Sequence, residues 1–129
     1  MTREKLELVE VSPRDGLQNE PDIVSTENKL ALIDAIVAAG FKRLEAASFV
    51  NPKKVPQMAD GDAVFEAIRK REDYRNGEVT FIALALNLRG VERALAAGAK
   101  EINYVFCASD GFSIRNNGAP VEETFRIWP

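Results

Sequence analysis

Arg14, Asp15 and Gln18 stand together in "VSPRDGLQNE", residues 11–20, directly after an apolar run of Leu6, Leu8, Val9 and Val11. Glu45 and Ser48 lie in a second short apolar stretch, "RLEAAS", residues 43–48. A carboxylate such as Asp15 offers hard oxygen to Mg²⁺ or Mn²⁺, which takes few protein carboxylates and completes its shell with water and substrate oxygens. Such a metal acts as a Lewis acid, and an adjacent arginine can stabilise an oxyanion developing on a carbonyl. The set suits making or breaking a carbon–carbon bond beside a carbonyl, through an enolate. Residue types alone leave the reaction open.

Each residue also has a plainer reading. Pro13 and Asp15-Gly16 would make a turn with no chemistry. Glu45 is harder to dismiss, because a carboxylate in a strand buried on both faces is costly unless paired or coordinating. Arg14, from a neighbouring strand, is the obvious partner, and the two could form a purely structural ion pair. Asn87 reads as an N-cap, Met58 as packing, and Lys53 and Lys54 as a solvated loop pair that could alternatively meet ligand phosphates. Cys107, in an apolar strand, reads as a small core residue, since no histidine is present to activate it.

The elements that must position these residues alternate. Strands are predicted at Leu6–Val11, Arg43–Ala47, Val79–Leu86 and Glu101–Ala108. Between them fall three helical patterns. The first is capped by Ser25 or Thr26, with Leu30, Ile33, Ile36 and Val37 inward, Glu27, Lys29 and Asp34 outward, and Gly40 as its stop. The second buries Val64, Phe65 and Ile68; the third turns Val91, Ala94 and Leu95 to one face and stops at Gly98. "KREDYRNGE" reads as a polar link, "SDGFSIRNNG" as a loop, and Pro120 as the start of a further helix. The joints "AAGFKRLEAAS" and "AAGAKEINYVFCAS" resemble each other, which hints at repeated units. Strands separated by helices pair in parallel, so every segment that follows a strand lies on one edge of the sheet. Arg14, Asp15, Gln18, Glu45, Ser48, Asn87, Ser109 and Asp110 converge there, on the edge where parallel α/β folds hold their ligands.

Composition narrows the function classes. The chain has 129 residues, is 46% hydrophobic and carries a formal net charge of −3, which fits one globular domain and gives no basic footprint for nucleic acid. Its single cysteine excludes an internal disulfide framework and fits a reducing compartment. No apolar run approaches a membrane span, and "MTREKLELVEV" lacks a signal or transit pattern, so a cytoplasmic location is expected.

The stretches "VEVSPRDGLQNE", "STENKLALID", "SFVNPKKVPQMAD", "NLRGVERALAAGAKE" and "VEETF" together resemble the N-terminal part of the hydroxymethylglutaryl-CoA lyase family, within the DRE-TIM metallolyase superfamily. The likeness covers nearly the whole chain. Related isopropylmalate, homocitrate and citramalate synthases share a version of the Arg-Asp-Gly motif but typically place Thr-Leu before the arginine; Ser12-Pro13 here favours the lyase branch. The resemblance implies that residues 1–129 are a partial TIM-barrel, pyruvate carboxyltransferase-like lyase domain. The fold class is α/β, with parallel (β/α) units forming the N-terminal half of a (β/α)₈ barrel and ending after about four strands. It implies cleavage of 3-hydroxy-3-methylglutaryl-CoA into acetyl-CoA and acetoacetate, a step of leucine degradation. Asp15 would ligate a divalent cation, Mg²⁺ or Mn²⁺. Arg14 would stabilise the acetyl-CoA enolate, Glu45 would support Arg14, and Gln18 and Ser48 would lie against the acyl-CoA.

The family's His-x-His pair, metal-binding Asn and Cys-bearing Gly-rich loop belong to its second half, and this chain contains no histidine. The resemblance therefore implies a truncated, split or frame-shifted lyase, inactive alone and in need of a C-terminal half or partner chain. Exposed sheet edges would favour self-association, and the full-length family implies a homo-oligomer. The alternatives are a non-catalytic half-barrel or flavodoxin-like binding module, and a lyase for another branched acyl-CoA.

Overall fold

The computed structural model describes residues 4–127. The sequence "FRIWP" suggests that Trp128-Pro129 does not continue the last helix, and those two residues lie outside the described range. In chain order the elements are α1 (Thr26–Ala38), β1 (Arg43–Ser48), α2 (Gly61–Ile68), α3 (Glu72–Arg75), β2 (Thr80–Ala85), α4 (Leu88–Ala97), β3 (Glu101–Tyr104), α5 (Asp110–Asn117) and α6 (Val121–Arg126). One wide helical turn, Ser12–Gly16, precedes α1, and a short 3-10 turn, Pro56–Met58, precedes α2.

The strands form a parallel sheet in the order β1-β2-β3. Leu44 pairs with Phe81 and Glu45 with Ile82, and the register shifts between Glu45 and Ala47. Side chains alternate across a strand, so Leu44 and Phe81 share one face while Glu45 and Ile82 share the other. Leu44, Phe81 and Ala83 pack with Ile33 and Ile36 of α1, Val64, Phe65 and Ile68 of α2, and Ala94 of α4. This core lies between the helices and one face of the sheet. No described helix is long and apolar enough to cross a membrane.

Local chemistry explains the boundaries. Ser25 caps α1 by accepting from the Asn28 N–H, and Asn87 caps α4 by accepting from the Gly90 N–H. α4 ends at Gly98, whose φ of 97° is a conformation that favours glycine.

Several expectations are corrected. The strand expected at Leu6–Val11 reduces to a bridge in which the Glu10 N–H donates to the Arg43 carbonyl at 3.0 Å and its carbonyl accepts from the Glu45 N–H at 2.9 Å. Three strands form rather than four. Leu6 is 86% and Leu8 69% exposed, so within the described residues this segment has a neighbour on one flank only and little apolar area to bury by pairing further. The fourth expected strand stops at Tyr104, and Leu95 faces solvent rather than the core.

"SDGFSIRNNG" forms α5 rather than a loop. Its Ser113 is buried against Thr124 of α6 and donates to the Ala119 carbonyl at 2.7 Å, while Asp110 accepts from the Val121 N–H at 2.9 Å. The partner helix overrides the weak local propensity of Gly and Asn. The "KREDYRNGE" link contains α3, one helical turn. Lys29, expected on the outer face of α1, is only 2% exposed.

Candidate active site

Pro13 is buried, and the Asp15 N–H donates to the Val11 carbonyl at 2.7 Å, which fixes the wide turn carrying Arg14. The Ser12 N–H donates to Glu10 Oε1 at 2.8 Å and holds that carboxyl below its ordinary range. From this turn the Arg14 guanidinium reaches β1. Its Nε donates to Glu45 Oε1 at 3.0 Å, its Nη2 to Oε1 at 2.7 Å and to Oε2 at 3.2 Å, and its Nη1 to Asp15 Oδ1 at 2.9 Å. Glu45 is 4% exposed, and Arg14 compensates its charge through a fork geometry that lysine could not reproduce. Part of the donor capacity of Nη1 remains unused.

Arg14, Asp15 and Gln18 line one cavity of about 650 Å³ at the edge where the strands end. Its floor is apolar, from Leu84, Leu86, Val105 and Cys107. Lys54 and Arg115 stand with Arg14 as its cations, and Asn51, Asn87, Asn116 and Asn117 contribute amides. Among the described residues, Asp15 is the only carboxylate that lines it. Gln18 Oε1 and Asn117 Oδ1 are buried without a hydrogen-bond partner among the described residues, so each carries acceptor capacity that the surrounding protein leaves unused. A second cleft of about 640 Å³ lies at the opposite edge, between residues 5–8 and 39–43, and none of the converging residues lines it.

The structure thus brings together Arg14, Asp15, Gln18 and, through Arg14, Glu45. Ser48 stands apart from the cavity lining. It is buried at the end of β1, its Oγ has no hydrogen-bond partner among the described residues, and its carbonyl would lie 3.3 Å from a Cβ at Gly61, the first residue of α2. Cys107 is buried in the floor, Asn87 both caps α4 and lines the cavity, and Lys53 remains in the exposed loop.

Sequence reasoning missed Asn51, Arg115, Asn116 and Asn117 as lining residues. Position was a signal for Asn51, which follows β1; Arg115, Asn116 and Asn117 carried none, because they lie in the last turn of α5, a helix the sequence does not announce.

A hard divalent cation would find one carboxylate here. Asp15 is 58% exposed, with Oδ1 engaged by Arg14 and Oδ2 unengaged. No cluster of three or more His, Cys, Asp or Glu suited to a metal occurs among the described residues. The described residues therefore do not make such a site by themselves.

A parallel β/α sheet that gathers charge and a cavity on its C-terminal edge defines the class: this is the N-terminal part of a TIM-barrel fold. The HMGL-like family model matches residues 5–126, and the chain belongs to that family.

The mitochondrial hydroxymethylglutaryl-CoA lyase of Macaca fascicularis is 47% identical over 122 residues, covering 95% of this chain and 36% of its own length. The 3-hydroxy-3-isohexenylglutaryl-CoA/hydroxymethylglutaryl-CoA lyase of Pseudomonas aeruginosa is 46% identical over 120 residues, 93% of this chain and 38% of its own. Among solved structures, the P. aeruginosa hydroxymethylglutaryl-CoA lyase superposes with a TM-score of 0.82 at 45% identity, covering 95% of this chain and 39% of that one. An A. baumannii HMG-CoA lyase, solved with coenzyme A and 3-methylmalate, gives a TM-score of 0.86 at 39% identity, again over 95% of this chain and 38% of that one. The chain spans 36–38% of the length of these two curated relatives.

Proposed function

We propose that this chain carries the first-strand portion of the active site of a carbon–carbon lyase that cleaves 3-hydroxy-3-methylglutaryl-CoA into acetyl-CoA and acetoacetate. In that reaction a base removes the proton of the tertiary hydroxyl, its oxygen becomes the ketone of acetoacetate, and the adjacent C–C bond breaks. The electron pair passes into the acetyl-CoA enolate, which takes up a proton at carbon.

The observation that supports this reading most is Arg14, clamped by Glu45 at 2.7 Å, bonded to Asp15 through Nη1, and lining one cavity with Asp15 and Gln18. A guanidinium already fixed by a buried carboxylate can meet a developing enolate oxygen without reorganising, which is the property that lowers such a barrier. Glu45 orients Arg14. Gln18 Oε1, with unused acceptor capacity, would receive a substrate hydroxyl or amide, and Ser48 would support the wall behind it.

Asp15, with ligands from elsewhere in a complete barrel, would hold Mg²⁺ or Mn²⁺. When bound, that cation supplies Lewis-acid polarisation of the substrate oxygens. By the same reading the reaction belongs to leucine degradation, in the cytoplasm. The chain alone would bind metal weakly and turn over no substrate.

The test joins this chain to the C-terminal remainder of the P. aeruginosa lyase and assays acetoacetate release with Mn²⁺. The chain alone is expected to release none. The joined protein is expected to release acetoacetate, and Arg14→Gln to lower kcat by about 10³-fold, as for loss of an oxyanion donor. A joined protein that folds and binds coenzyme A but tolerates Arg14→Gln would favour a non-catalytic binding module.

A further inference from the structure

Lys29 carries the strongest observation that the proposed reaction leaves unused. Its Nζ donates to the Gln57 carbonyl at 2.5 Å and to Asp60 Oδ1 at 2.6 Å, and its side chain is almost wholly buried. Thr26, one turn earlier on α1, donates to the other carboxylate oxygen of Asp60 at 2.7 Å. The Gln57 side chain donates to the Glu20 carbonyl at 2.8 Å. Both oxygens of Asp60 and both ends of Gln57 are therefore engaged: the first turn of α1 holds the Gln57–Asp60 segment, and Gln57 in turn holds the loop that ends at Glu20.

Those two loops form the cavity wall. Arg14, Asp15 and Gln18 lie on the first, upstream of Glu20; Asn51, Lys54 and Val55 lie on the second, upstream of Gln57. Apart from the buried Met58 side chain, the second has little else to hold it. Residues 51–54 are exposed, and backbone bonds from Lys54, Val55, Met58 and Ala59 close only local turns within 51–59. Burying an ammonium group is costly, so a lysine is retained inside only where its partners are in place, and here those partners belong to the loops themselves.

We propose that Lys29 is a positioning residue: with Asp60 and Gln57 it sets the 51–59 segment against the Arg14 loop, so that Lys54 and Arg14 face the same ligand. The identity of that ligand, an acyl-CoA, rests on the reading of the preceding subsection. The positioning itself does not.

Hydrogen exchange of the full chain separates the two. Lys29→Met is expected to speed exchange of the Lys54, Val55, Met58 and Ala59 amides by at least tenfold, and Lys29→Arg to restore most of the protection. Arg71→Met serves as a control for general destabilisation, because Arg71 pairs with Asp73 and Asp34 near the opposite edge of the sheet. It is expected to leave those four amides unchanged relative to β1 and β2. If Lys29→Met proves insoluble, Asp60→Asn makes the same test, with an expected gain of about threefold in exchange.

Unchanged protection of the 51–59 amides, or a rise spread equally through β1 and β2, would overturn the proposal. With coenzyme A as the probe, calorimetry is expected to show a Kd raised about tenfold by Lys29→Met, recovered by Lys29→Arg and unmoved by Arg71→Met. A Kd that rises equally in Lys29→Met and Arg71→Met also overturns it. The calorimetry is run on the chain joined to the P. aeruginosa remainder; no measurable affinity for coenzyme A in that joined protein would count against the proposed function and leave the exchange result to decide the role of Lys29.

Discussion

At the edge where the strands begin, Arg43 pairs with Glu7 and Glu101, Lys42 with Glu78, and Arg71 with Asp34 and Asp73, through side chains that mostly keep contact with water. At the edge where they end, Arg14 meets a Glu45 that is almost wholly buried, and Gln18, Ser48 and Asn117 each carry a buried oxygen with no partner among the described residues. The first edge pairs its charges within itself, and only Arg43 Nε there is buried without a hydrogen-bond partner among the described residues. The second keeps charge and acceptor capacity where burial makes both expensive, which lowers stability unless something else uses them. In a parallel sheet the segments after the strands are also where ligands are held. The contrast therefore sets the second edge apart on physical grounds that need no relative, and it is the edge to which the proposed chemistry is assigned.

The comparison breaks most directly at Arg14. Arg14→Met leaves the buried Glu45 carboxyl without its partner, and is expected to cost about 3–5 kcal/mol, read from the urea midpoint. A loss no larger than that of a surface pair would mean that the two edges do not differ in kind. Gly90, at the start of α4, probes the same edge by packing. A Cβ there would lie 2.5 Å from the Phe49 carbonyl oxygen and 3.3 Å from the Ala85 Cβ, so Gly90→Ala is expected to cost about 1–3 kcal/mol despite the better helix propensity of alanine. A gain in stability would show that the end of β1 and the start of α4 can separate freely.

How much of this was legible beforehand depended on the distance between partners. Arg14 with Glu45 could be anticipated, because a lone carboxylate in "RLEAAS" needs a cation and strand alternation puts both residues on one rim. Asn87 as a cap could be read from its position before an apolar stripe. Lys29 could not be read this way. Its place on the helical wheel marks it as outward, and the partner that draws it inward, Asp60, lies 31 residues away. α5 was hidden by its Gly and Asn content, since what stabilises it is Thr124 and Val121 of the next helix. Leu6–Val11 has the alternation of a strand, but alternation reports what a segment could bury and not whether a neighbour stands there to bury it.

Arg71 sharpens the other side of the comparison. It donates to both Asp73 oxygens, at 2.9 and 2.8 Å, and these bonds hold the Asp73 carboxyl below its ordinary value of 3.8. A carboxyl depressed in the folded state contributes stability that is present above its unfolded pKa and disappears as pH falls through the folded value. Arg71→Met is therefore expected to cost about 1 kcal/mol at neutral pH, less than Arg14→Met by a clear margin. Stability measured from pH 5 downward should fall less steeply in the variant than in the wild type. An identical acid limb in both proteins would refute the coupling.

Lys42 and Glu78 set the lower bound of the series. Their side chains are each 58% exposed, the Nζ–Oε1 distance is 2.9 Å, and water solvates both groups almost as well apart as together. A double-mutant cycle of Lys42→Ala and Glu78→Ala is expected to give a coupling of about 0.2–0.5 kcal/mol, shrinking as salt is raised toward 1 M, where screening acts within about 3 Å. The Arg14–Glu45 coupling should barely respond to the same salt, because ions do not reach a carboxylate held under the protein surface. If salt weakens both pairs alike, Glu45 is solvated in solution, and the argument that its burial prepares Arg14 for an oxyanion loses its physical basis.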